Sequence, residues 1–89
     1  MHWIDASVDG SAFVAGPEPA YHLAVWLDEP RGGWDWHVLE GPSGIYPLKV
    51  GQSHGRLERN ADDARRAAEA AYRRHRGRSG AAAVAARER

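Results

Sequence analysis

Tyr21-His22-Leu23-Ala24-Val25-Trp26-Leu27-Asp28 runs through Glu29-Pro30-Arg31-Gly32-Gly33 into Trp34-Asp35-Trp36-His37-Val38-Leu39-Glu40. In the first stretch Tyr21, Leu23, Val25 and Leu27 alternate with His22, Ala24, Trp26 and Asp28, the period of two of a half-buried strand. The odd positions therefore face the core. In the last stretch Trp34, Trp36 and Val38 alternate with Asp35, His37 and Leu39, so the even positions face inward. The proline and two glycines between them are turn formers, and the two runs read as neighbouring antiparallel strands. If they pair, His22, Trp26, Asp35 and His37 gather on the face opposite the core.

Before this pair, Ile4–Val8 and Ser11–Ala15 flank Asp9-Gly10, a dipeptide suited to a two-residue hairpin turn. Gly16-Pro17-Glu18-Pro19 is expected to end that hairpin, because two prolines remove ladder donors. After the pair, Gly41-Pro42-Ser43-Gly44 reads as a turn. Residues 45–50 then read as a last strand with Tyr46, Leu48 and Val50 on one side, placed at a sheet edge by Pro47.

Asn60 is a helix N-cap, followed by Asp62 and Asp63 in the first turn, where they complement the dipole. Ala61, Ala64, Ala68, Ala71 and Tyr72 form an apolar stripe, with Asp62/Arg66 and Glu69/Arg73 as i,i+4 ion pairs. The helix is expected to end near Arg76-Gly77, and residues 77–89 to form a flexible or partly helical Ala/Arg-rich tail. The fold expected is α+β: one domain over residues 1–76, an antiparallel sheet of four or five strands with one helix across a face. Its expected buried residues are Tyr21, Leu23, Val25, Leu27, Trp34, Trp36, Val38, Leu48 and Ala68.

Composition bounds the function. At 89 residues, 43% hydrophobic and 27% charged, the chain is long enough for one small core. The absence of cysteine excludes disulfides, thiol nucleophiles and Cys-zinc sites. No run reaches the ~18 apolar residues of a membrane helix, and the start lacks the pattern of a secretory signal, so the expected location is cytoplasmic. Residues 1–55 hold two cations and seven carboxylates, net −5, and residues 56–89 hold ten arginines and five carboxylates, net +5. A basic helix lying on an acidic sheet balances these internally; a partner surface is the other reading.

The candidate binding residues are His22, Trp26, Asp35 and His37 on the outer sheet face, and Arg73, Arg74 and Arg76 on the helix. Two imidazoles and a carboxylate are also a potential metal set, but alternation alone supplies no converging geometry, and neither metal nor cofactor is expected. The chain carries no nucleophile elbow, phosphate-cradling glycine loop or zinc-helix motif. Gly51-Gln52-Ser53-His54-Gly55 reads as a connecting loop, since a Ser beside a His in sequence is not a nucleophile–base pair. The arginines point to weak, salt-sensitive contact with nucleic acid.

From Tyr21 to Tyr72, the Trp-x-Trp-x-Val strand at Trp34, Trp36 and Val38, the glycine turn, the next strand and Asp62-Asp63-Ala64-Arg65-Arg66-Ala67-Ala68 resemble small phage and mobile-element proteins of the anti-CRISPR inhibitor type. Ser53, Gly55 and Asp62-Asp63-Ala64 are similar to HicB-type antitoxin domains, with a longer interval between Gly55 and the helix. The first resemblance implies a non-enzymatic protein that binds and modulates another macromolecule, such as a nucleic-acid-processing complex. Its alternatives are a nucleic-acid-binding or antitoxin-like regulator that uses the Arg-rich helix, and a small metal-binding or enzymatic domain.

Overall fold

A computed structural model describes the backbone of residues 1–41 and 48–87, and side chains as far as Arg78 within the final helix. Five strands, β1 (Ile4–Asp5), β2 (Ala12–Glu18), β3 (Tyr21–Asp28), β4 (Gly33–Glu40) and β5 (Leu48–Gln52), precede one helix, α1 (Ala61–Arg87). The strands form one antiparallel sheet in chain order, β1-β2-β3-β4-β5. This is the α+β architecture expected from the alternation.

β3 and β4 pair without interruption from Tyr21 opposite Glu40 to Asp28 opposite Gly33. Their connection is a single 3₁₀ turn, Glu29–Arg31. The Asp28 carboxylate accepts the Arg31 amide at 3.2 Å, and Gly32 closes the turn at φ +75°, a conformation that glycine adopts without a Cβ penalty.

The first hairpin differs from the two-residue turn expected at Asp9-Gly10. Ile4 lies opposite Val14 and Asp5 opposite Phe13, leaving a connection of residues 6–11 in which Val8 is fully exposed. Side-chain oxygens explain the difference. Ser7 Oγ accepts the Ser11 and Ala12 amides at 2.8 and 3.2 Å, and Asp5 accepts the Ser7 amide at 2.9 Å. These local acceptors compete with the ladder, and only Gly10, at φ +76°, keeps its turn role. Gly16 and Pro17 do not end the strand either. They occupy an irregularity between Ala15 and Glu18, where proline's missing donor breaks no ladder bond.

α1 begins as expected, with Asn60 Oδ1 accepting the Asp63 amide at 2.8 Å. The i,i+4 ion pairs are replaced by i,i+3 pairs, Asp62 with Arg65 and Asp63 with Arg66. Glu69 instead accepts the Trp3 indole N–H at 2.8 Å, which ties the chain's first residues to the helix. The backbone stays helical through Gly77 to Arg87, beyond the expected end at Arg76-Gly77.

The core lies between α1 and one sheet face: Ala15, Tyr21, Leu23, Val25, Trp36 and Val38 meet Ala64, Ala68, Ala71 and Tyr72. The alanines let the helix approach the sheet closely, while the aromatics provide the apolar area. Three expected core residues differ. Leu27 and Trp34 are half-buried at the turn end of the β3/β4 pair, Trp34 packing on the core and on Phe13. Leu48 is 70% exposed, because it stands at the start of edge strand β5, opposite Glu40 at the rim of the helix-side face. Residues 45–47 of the expected last strand lie outside the described residues.

Candidate functional site

Because α1 covers one sheet face, the alternate residues of each strand form the other, and no described element lies over it. The cross-strand register defines its rows. Ile4, Val14, Ala24, His37 and Gln52 lie side by side; Ala12, Trp26 and Asp35 form a second row, and His22, Leu39 and Lys49 a third. His22, Trp26, Asp35 and His37 thus share one face, as the strand pairing predicts.

At its centre the Trp26 and His37 rings meet edge to face, with centroids 5.0 Å apart and planes 64° apart. Burial first, and then the Lys49 ammonium, push the His37 pKa below the ordinary histidine value of 6.5, while Asp35 pulls it back up. His37 is consequently held toward its neutral form. His22 is half-buried, and its Nε2 is a buried atom with no hydrogen-bond partner among the described residues.

Asp35 joins this face to the segment after β5. Its carboxylate accepts the Ser53 hydroxyl and, at 2.8 Å, the Trp36 amide, and stands 3.8 Å from Arg31. Arg31 also donates to the Gly55 carbonyl at 3.3 Å, so two strand-end contacts pin Ser53–Gly55 against the sheet. Between them lies a cavity of about 240 Å³, lined by Trp26, Asp35, His37, Lys49, Ser53 and His54 among others. Ser53 donates to a carboxylate that is already bound by an amide and a guanidinium; this is a structural brace. Among the described residues no group of three or more His, Asp or Glu side chains is arranged to share a metal ion. No described helix is long and apolar enough to cross a membrane.

The helix arginines divide. Arg76 Nε donates to Glu18 at 3.0 Å, and the Tyr72 hydroxyl donates to the same oxygen at 3.0 Å. His75 stands 2.7 Å from Glu40. Burial first, and then Glu18, raise the Tyr72 pKa above its ordinary value of 10.0. Arg65 pairs with Asp62 and covers the Phe13 ring at 4.8 Å, and Arg66 pairs with Asp63. Helix and sheet therefore meet through an ion pair at Glu18 and a His75 contact at Glu40. Arg73 and Arg74 are exposed, and neither forms an ion pair with a described residue.

The Ser53–Asp35 brace escaped the sequence reading, which placed Ser53 in a loop; nothing local marks a partner 18 residues away. Arg31 and Lys49 were likewise legible as charges and not as neighbours of His37. Comparison with family models, with curated proteins and with solved structures finds no match to this chain.

Proposed function

We propose that this chain is a non-enzymatic module that binds and modulates another protein through the uncovered face of its sheet. The observation that supports this most is the exposure of Ile4 (56%) and Val14 (40%) in one row with Ala24 and His37, beside the Trp26–His37 pair. A sheet packed on one side usually alternates to polar residues on the other. Here the outward positions of the central strands include Val14, Ala24, Trp26 and Leu39. An apolar surface of this kind with a polar rim suits a partner, and a tryptophan near its centre suits an energetic anchor. His22, Asp35 and Lys49 supply the rim.

In keeping with the resemblance to anti-CRISPR inhibitors, the partner proposed is a protein subunit of a nucleic-acid-processing complex. Contact through protein rather than nucleic acid is favoured by partial neutralisation of the helix: Arg65, Arg66 and Arg76 pair with carboxylates of the same chain, which leaves Arg73, Arg74 and Arg78. The test is a photo-crosslinking side chain placed at Val14 or, as control, at Arg66, in cells of the native source. Crosslinks to one protein from position 14 and none from position 66 are expected. The double variant Val14→Lys/Trp26→Ser should keep the fold and lose that protein. Equal crosslinking from both positions, or undiminished capture by the double variant, refutes the assignment.

A further inference from the structure

A second cavity, of about 270 Å³, lies between β5 and α1, bounded by Val50, Gly51 and Gln52 of the strand and by residues of the helix. Arg74, Arg78 and His54 line it with the apolar surfaces of Trp36, Val50 and Ala71, and none of its lining residues is acidic. Arg74 and Arg78 stand one helical turn apart and so project from the same side of α1. Neither forms an ion pair with a described residue. Helix continuation to Arg87 places both away from the C-terminal pole, so the dipole offsets little of their potential.

A further observation is independent of the charges. Trp36 is 8% exposed, lines this cavity, and has a buried indole N–H with no acceptor among the described residues. Buried indole N–H groups are ordinarily paired. Two guanidiniums and an imidazole, with no carboxylate in the lining, make a donor set for an oxyanion. The apolar walls of Trp36, Val50 and Ala71 leave room beside it for a small organic group.

We infer that the groove between β5 and α1 binds a small phosphate monoester, its phosphate held by Arg74 and Arg78 and its organic part against Trp36, Val50 and Ala71. The two cavities share Trp36, Gln52 and His54, but the phosphate contacts are Arg74 and Arg78, which the proposed protein contact does not use, so failure here leaves that contact untouched. Exposed guanidiniums bind phosphate with modest affinity, so the interaction weakens as salt rises.

The test titrates phenyl phosphate into the ¹⁵N-labelled full chain at constant ionic strength, reading the Trp36 indole and Gly51 amide signals by nuclear magnetic resonance. Saturable shifts of both are expected, with inorganic phosphate moving the same signals at lower affinity and phenol moving neither. Arg74→Ala/Arg78→Ala, which removes two exposed and unpaired side chains, should retain the wild-type melting curve and bind at least about tenfold more weakly, a loss of about 1.4 kcal/mol. Absence of a saturable shift, equal affinity for inorganic phosphate, equal binding of phenol, or undiminished affinity in the folded double variant each overturns the assignment.

Discussion

Gly51→Ala probes the seating of α1 on the sheet. A Cβ at Gly51 would stand 3.1 Å from Ala71 Cβ, and 3.3 and 3.4 Å from Val38 Cγ2 and Cβ. These separations are all shorter than the ~3.5–4.0 Å optimum for carbon pairs. Val38 is fully buried and Ala71 is 7% exposed, so neither neighbour can turn toward solvent. Relief requires the helix to lift by a few tenths of an ångström, loosening Ala68 and Tyr72 with it. Overpacking of this kind costs about 1–3 kcal/mol. Loss of the glycine's unfolded-state freedom returns about 0.5–1 kcal/mol, leaving a net destabilisation of about 0–2.5 kcal/mol, centred near 1 kcal/mol. For a domain of this size the central value lowers the melting temperature by about 4–8 °C. Urea unfolding followed by tryptophan fluorescence measures it, with an unchanged m-value showing that only stability has moved. Gly16→Ala is the control: its nearest contact would be 4.0 Å, from the Tyr21 carbonyl oxygen, and its stability should stay within about 0.5 kcal/mol of wild type. A Gly51→Ala protein as stable as the wild type would mean that Ala71 does not rest on β5 at this point.

Trp36→Ala should cost about 3–5 kcal/mol, most of the stability of a domain this small, whereas Trp26→Ala on the open face should cost much less; equal losses in thermal melts would reverse the two faces. Because the folded-state pKa of His37 is depressed, the folded protein binds fewer protons than the unfolded chain just below the ordinary value of 6.5. Stability should therefore fall as pH drops through 6.5 and level off below the folded value, and Lys49→Gln, by removing the second cause of the shift, should shrink the fall; an unchanged profile in denaturant titrations contradicts the assigned role of Lys49. For Tyr72 the raised pKa means that stability is held up to pH 10.0 and lost as pH rises above it. Phenolate absorbance should show its ionisation above the ordinary value, moving back toward it in Glu18→Gln, and a Tyr72 titration insensitive to that change would argue against the shared Glu18 contact.

Strand alternation was enough to place Leu23, Val25, Trp36 and Val38 in the core and His22, Trp26, Asp35 and His37 opposite, because a period of two fixes the face once pairing is uninterrupted. It failed where pairing is interrupted. At residues 6–11 the oxygens of Asp5 and Ser7 capture amides that a tight hairpin would use, and in β5 Leu48 lies opposite Glu40 on the helix side but at the rim of an edge strand, where facing the right way does not bury it. The Asn60 cap was local and legible, but Glu69 bonds to Trp3 rather than to its helical neighbour, a contact across 66 residues that no spacing rule contains. The same holds for the candidate sites. Residue types on one strand pair were readable; the Ser53 brace and the Arg74–Arg78 groove depend on how a separate segment and the helix settle against β5.

The order of elements has a consequence for synthesis. Every strand precedes α1 in the chain, and each pairs with its sequence neighbour. Hairpins close in roughly 1–10 μs, while a ribosome adds about 5–20 residues per second, so the meander can pair as it emerges, ahead of the helix. Residues 61–76, which carry the helical half of the core, then take roughly 1–3 s to emerge. Throughout that interval Tyr21, Leu23, Val25, Trp36 and Val38 have no lid, and the nascent sheet is greasy on both sides. The window between the last strand and the helix is therefore where a nascent-chain chaperone would hold this protein, and where slowed translation would leave it most prone to stick to another copy of itself.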